Sequence, residues 1–124
     1  MQVSHYRFGI SWPRILPNGK GSTPNRKGIQ YYKNVIRTLK LAGIEPVVTL
    51  FHWNTPQALE DEGGWLNPDI IDAFYNYSKI CFEEFGNDVS EYDCFSAFIP
   101  KFEYYEICMY YSIVHIYEVM VEGV

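Results

Sequence analysis

The sequence predicts an α/β fold with parallel strands joined by crossover helices. Three observations carry this. The order of periodic segments is strand, helix, strand, helix. The second strand is apolar throughout, the pattern of a strand covered on both faces. Cap and turn residues stand at the ends of both helical segments. Residues 6–12 alternate aromatic or β-branched residues with small or polar ones and stop at Pro13, which predicts a strand. Pro17-Asn18-Gly19-Lys20-Gly21 has turn chemistry. A helix follows, with Asn25 as N-cap, Ile29, Tyr32, Ile36 and Leu39 on one face, and Gly43 just past the end. Residues 46–51, Pro-Val-Val-Thr-Leu-Phe, predict the second strand, and His52-Trp53-Asn54-Thr55-Pro56 sits at its C-terminal end. A second helix is predicted from Asn67 as N-cap and Pro68 at the first helical position. Its stripe is Ile70, Phe74, Tyr77, Cys81 and Phe85, and Gly86 closes it. Beyond Val89, residues 92–95 suit a third strand, and residues 104–120 show neither clean alternation nor a polar face.

Composition bounds the function classes. The chain has 124 residues, 48% hydrophobic and 18% aromatic, enough for one small domain and too apolar for a disordered segment. A net charge of −5 argues against a nucleic-acid partner. No run of about 18 uncharged apolar residues is present, so no membrane span is expected. The first residues lack an apolar signal-peptide core, which makes the cytoplasm the expected location of the chain as given. Cys81, Cys94 and Cys108 are odd in number and widely spaced. They support neither a disulfide framework nor a zinc site, and buried free thiols are expected. No metal-ligand spacing or cofactor motif appears, so no metal and no cofactor are expected.

The charge is unevenly spread. Residues 1–86 hold 9 Lys and Arg against 8 Asp and Glu, whereas residues 87–124 hold one cation, Lys101, against seven acids. The shift predicts two regions: residues 1–89 as the patterned α/β segment, and residues 90–124 as an irregular, aromatic and acidic tail of different origin.

In a parallel α/β sheet, chemistry collects at the C-terminal ends of the strands. His52-Trp53 stands there. An imidazole can donate or accept a hydrogen bond, and an indole offers an apolar face with one N–H donor. The pair suits a sugar ring, but residue chemistry alone favours a core histidine packed beside a core tryptophan. Arg7 lies mid-strand. Buried, its guanidinium needs a carboxylate partner; at a sheet edge, its tip is solvated. Glu60-Asp61-Glu62 reads as a solvated acidic loop, His5 and His115 as structural residues, and Gly63-Gly64-Trp65 as a tight turn anchored by an indole. Asn18-Gly19-Lys20-Gly21 lacks the spacing of a phosphate loop.

Tyr6-Arg7-Phe8-Gly9-Ile10-Ser11-Trp12-Pro13-Arg14-Ile15 closely resembles a signature of glycoside hydrolase family 1, the β-glucosidase and lactase-phlorizin hydrolase type. Gly43-Ile44-Glu45-Pro46-Val47-Val48-Thr49-Leu50-Phe51-His52-Trp53 is more specific still. Pro56-Gln57, Leu59-Glu60-Asp61, Gly63-Gly64-Trp65-Leu66 and Phe82-Glu83-Glu84-Phe85-Gly86 follow in order. The resemblance implies part of a (β/α)8 TIM barrel, about two βα units matching the second and third. It implies a retaining enzyme that hydrolyses β-glycosides with two glutamates and no metal. The histidine matching His52 is implied to bind the sugar with Trp53 beside it, and the arginine matching Arg7 to support the nucleophilic glutamate. The family usually has Asp where Asn54 stands.

Two departures shape the expected function. By the resemblance, the acid/base glutamate belongs in a Thr-x-Asn-Glu-Pro strand end, and counting on from Val89 its place falls on Ala97. The nucleophile's place falls beyond residue 124. The expectation is therefore a β-glycosidase fragment without turnover of its own. The alternatives are a non-enzymatic sugar-binding or regulatory module, or a truncated gene product without independent function. Open strand edges predict self-association.

Overall fold

β1 (His5–Gly9), β2 (Glu45–Phe51) and β3 (Glu91–Phe95) form a three-stranded sheet in the order β1-β2-β3. Both pairings are parallel, with Gly9 opposite Thr49 and Thr49 opposite Asp93. The computed structural model describes residues 3–89 and 91–95. Helix α2 (Arg26–Leu41) crosses from β1 to β2, and α4 (Ile70–Phe85) crosses from β2 to β3. The short α1 (Trp12–Ile15) lies between β1 and α2, and α3 (Gln57–Asp61) and a 3-10 turn, Gly64–Leu66, lie between β2 and α4. This is a partial α/β unit, consistent with part of a barrel. Ala97, His115, Cys108 and residues 104–120 lie outside the described residues.

Helix α2 forms where its caps and stripe predict. The Asn25 side chain accepts from the Lys27 N–H at 3.2 Å. Ile29, Tyr32 and Ile36 are buried. At the other end Gly43 takes φ +74, its N–H donates to the Lys40 carbonyl, and the Ile44 N–H donates to that of Leu39. That is the paired ending a left-handed glycine permits.

Two boundaries differ from the sequence expectation. The first strand ends at Gly9, and Trp12, expected in that strand, opens α1 instead. Pro13 stands in the first turn of α1, where its missing N–H costs nothing and its fixed φ suits a helix. The second long helix starts at Ile70 rather than at Pro68. The Asn67 side chain accepts from the Asp69 N–H, and the Asn67 carbonyl accepts from that of Ile70, so a separate turn precedes the helix. Glu60 and Asp61 close α3 rather than lying in a loop, and both are exposed.

The core centres on Trp12. Its ring stacks on Tyr77 at 5.1 Å and meets the edges of Phe74, Trp65 and Phe51 at 5.5, 6.4 and 6.5 Å. Its Nε1 donates to the Gly19 carbonyl, which ties the loop after α1 to the core. Phe8, Val48, Leu50 and Tyr92 line the helix-covered face of the sheet, with Phe8 on Tyr32 and Tyr92 against Phe82. Among the described residues no helix is long and apolar enough to cross a membrane, and no group of three His, Cys, Asp or Glu is placed to hold a metal.

Candidate functional site

The C-terminal end of β2 runs directly into His52 and Trp53, and both side chains are exposed. Trp53 is 60% exposed, so it is not a core residue. Its backbone sits at φ +59, in the left-handed region. For a residue with a side chain this conformation costs of order 1–2 kcal/mol, so neighbouring contacts must hold it.

Asn54 supplies them. Its Oδ1 accepts from the His52 N–H at 3.1 Å, and its Nδ2 donates to the Ile10 carbonyl at 3.2 Å. The first bond closes the corner on itself. The second ties the corner to the chain just beyond β1, whose Ile10 N–H donates to the Thr49 carbonyl. Thr55 extends the support, accepting from Trp65 Nε1 at 3.1 Å.

Beneath the corner lies Tyr77 of α4, wholly buried. Its hydroxyl is 2.9 Å from the Leu50 carbonyl oxygen and 3.1 Å from that of Ile10. One helix residue thus reaches both segments that frame the corner. Burial holds the Tyr77 hydroxyl well above the usual phenol range, reinforced by the neighbouring Cys81. Burial likewise pushes the Cys81 thiol far up, against an opposing hydrogen bond with Tyr77. Both groups stay neutral, and Cys81 is an inert core thiol rather than a nucleophile.

Arg7 is exposed, on the face of β1 away from the helices, and its Nε donates to Thr49 Oγ1 at 3.1 Å. Thr49 itself is 2% exposed. Among the described residues β1 is an edge strand. Arg7 and the His52-Trp53 corner are thus linked through β2: Thr49 holds the arginine, and Phe51 leads into the histidine.

Sequence reasoning marked Arg7, His52 and Trp53 but missed two supports. Tyr77 read only as one member of an apolar helical stripe, and Thr49 only as part of a buried strand. A phenol in a stripe otherwise made of Ile, Phe and Cys is the available signal, since a buried hydroxyl needs a partner.

The sequence profile of glycosyl hydrolase family 1 matches residues 1–110. Klotho of Mus musculus is 51% identical over 88 residues, 70% of this chain and 9% of that protein. Lactase/phlorizin hydrolase of Homo sapiens is 51% identical over 89 residues, 72% of this chain and 5% of that protein. Cytosolic beta-glucosidase of Cavia porcellus is 50% identical over 90 residues, 73% of this chain and 19% of that protein. Among solved structures, the beta-glucosidase from Thermotoga maritima in complex with deoxynojirimycin superposes with a TM-score of 0.73 at 48% identity, covering 75% of this chain and 21% of that one. The chain therefore spans about a fifth or less of these relatives. A profile match across most of the chain, near 50% identity to several relatives and a shared backbone agree on one assignment: the chain belongs to glycosyl hydrolase family 1.

Proposed function

We propose that this chain is the second and third βα units of a (β/α)8 barrel and carries part of the sugar-binding wall of a retaining β-glycosidase site. The observation that carries this is the exposed His52-Trp53 corner at the C-terminal end of β2. An imidazole beside an open indole face matches a pyranose ring, whose hydroxyls need polar partners and whose C–H face packs on an aromatic ring. The family's solved members support the reading, because the Thermotoga maritima enzyme holds deoxynojirimycin, and other structures of it hold castanospermine or glucoimidazole.

The same reading makes the 124-residue chain by itself a binder and not a hydrolase. Retaining hydrolysis needs two carboxyl groups about 5 Å apart across the scissile bond. By the family pattern the acid/base place is occupied by Ala97, and the nucleophile has no counterpart in this sequence. Arg7, assigned by that pattern to support the nucleophile, donates to Thr49 here. No cofactor is invoked.

The test is titration of the purified chain with deoxynojirimycin, followed through the indole resonance of Trp53. A saturable shift that is lost in His52→Ala supports the reading. A resonance that stays unmoved at saturating ligand removes it.

A further inference from the structure

We infer that Tyr77 is a positioning residue for the His52-Trp53 corner: from α4 it fixes the point at which β1 and β2 part, and with it the direction in which the corner leaves the sheet. The β1–β2 register runs to Gly9 opposite Thr49, followed by one more bond, from the Ile10 N–H to the Thr49 carbonyl. Beyond that bond the two chains diverge. One turns into α1 at Trp12; the other runs on through Phe51 into His52. The Tyr77 hydroxyl sits at the divergence, 3.1 Å from the Ile10 carbonyl oxygen and 2.9 Å from that of Leu50. It reaches one backbone group of each chain where the register between them has ended.

The hydroxyl is a fixed point. Its ring is wholly buried, stacked on Trp12 at 5.1 Å and tilted on Phe74 at 6.0 Å, so the packing of α4 sets its place. The hydroxyl carries a single proton. The Ile10 carbonyl also accepts from Asn54, which leaves that proton to Leu50, the shorter contact. Leu50 and Phe51 lead straight into His52 and into Trp53, whose backbone is left-handed and whose indole is exposed. Tyr77→Phe keeps the ring and removes the anchor, and it takes away no atom that a ligand could touch, because Tyr77 is inaccessible. The consequence for ligand binding rests on the sugar-binding reading above; the consequence for the conformation of the corner does not.

The experiment compares Tyr77→Phe with Ile36→Val on the full 124-residue chain, without denaturant. Ile36→Val trims the buried face of α2 and serves as a destabilised control in another helix. In Tyr77→Phe the His52 amide and Trp53 indole resonances, the latter identified by its absence in Trp53→Phe, are expected to shift. Deoxynojirimycin affinity is expected to fall about fivefold or more, the loss that goes with one hydrogen bond. In Ile36→Val both resonances and the affinity are expected to match the parent's. In the parent chain the Tyr77 hydroxyl proton is expected to exchange slowly with water, which needs no variant to fold. A rapidly exchanging hydroxyl overturns the proposal. So does a Tyr77→Phe chain with the parent's His52 and Trp53 resonances, or an equal shift in Ile36→Val, since Tyr77 would then contribute to stability alone. Shifted resonances confined to Tyr77→Phe, with a parent chain that binds no deoxynojirimycin, support the positioning role and remove the sugar-binding reading alone.

Discussion

Gly28 of α2 presses so closely on Arg14 that a β-carbon placed on it would lie 2.4 Å from the Arg14 carbonyl oxygen. Only hydrogen fits there. The contact brings α2 against α1, and the Asn25 amide donates to that same carbonyl oxygen at 3.1 Å. Two effects compete in Gly28→Ala. Helix propensity favours alanine by about 1 kcal/mol. The clash is with backbone, which cannot swing aside, and overpacking of this kind costs about 1–3 kcal/mol. The clash wins, so Gly28→Ala is expected to lower the urea midpoint, and a raised midpoint would show that α1 yields freely.

Tyr77→Phe tests the tie between α4 and the two strand ends. The ring packing on Trp12 is kept, and only the hydroxyl is lost. The Leu50 carbonyl is left without that donor in a buried setting, which costs about 1–3 kcal/mol. The expected result is a lower denaturant midpoint with an unchanged slope.

Glu84 gives a pH signature. Its hydrogen bond with Lys33 holds its carboxyl below the usual carboxylate range; partial burial opposes this, and Arg26 adds to it. A carboxyl depressed in the folded state contributes stability that is fully present above its unfolded pKa, about 4.3. That contribution is lost as pH falls through the lower folded value. Both cations are largely exposed, so the contribution is at most about 1 kcal/mol. Glu84→Gln is expected to lower stability at pH 7 and to narrow the gap to the parent chain below pH of about 4.

Among the described residues β1 and β3 each pair along one side only, and Tyr6 and Val3 beside the β1 edge are half exposed. Such edges template further pairing. We expect sedimentation to show species heavier than the 14.5 kDa chain, growing with concentration. A monodisperse monomer throughout would contradict this.

Much of this architecture was legible where local chemistry and periodicity agreed. Asn25, the Ile29-Tyr32-Ile36 stripe and Gly43 mark α2 at both ends, and the structure uses each in that way. Legibility failed where one residue serves two grammars. Pro13 ends a strand and equally opens a helix; Asn67 caps a helix and equally builds a turn before one. The His52-Trp53 pair stood out as a pattern, but its left-handed backbone did not, because the corner is set in a tertiary frame that includes a bond from Asn54 to Ile10, 44 residues earlier. The Tyr77 tie was hidden for the same reason, with partners 27 and 67 residues away in sequence.

The central claim is that this chain presents a β-glycoside-binding corner without the pair of carboxyls that cleaves the bond. An aryl β-glucoside assay on the purified 124-residue chain tests it most directly. The predicted result is release of the aryl group at the buffer rate, unchanged in His52→Ala. Turnover that persists through purification and is lost in His52→Ala would contradict the account.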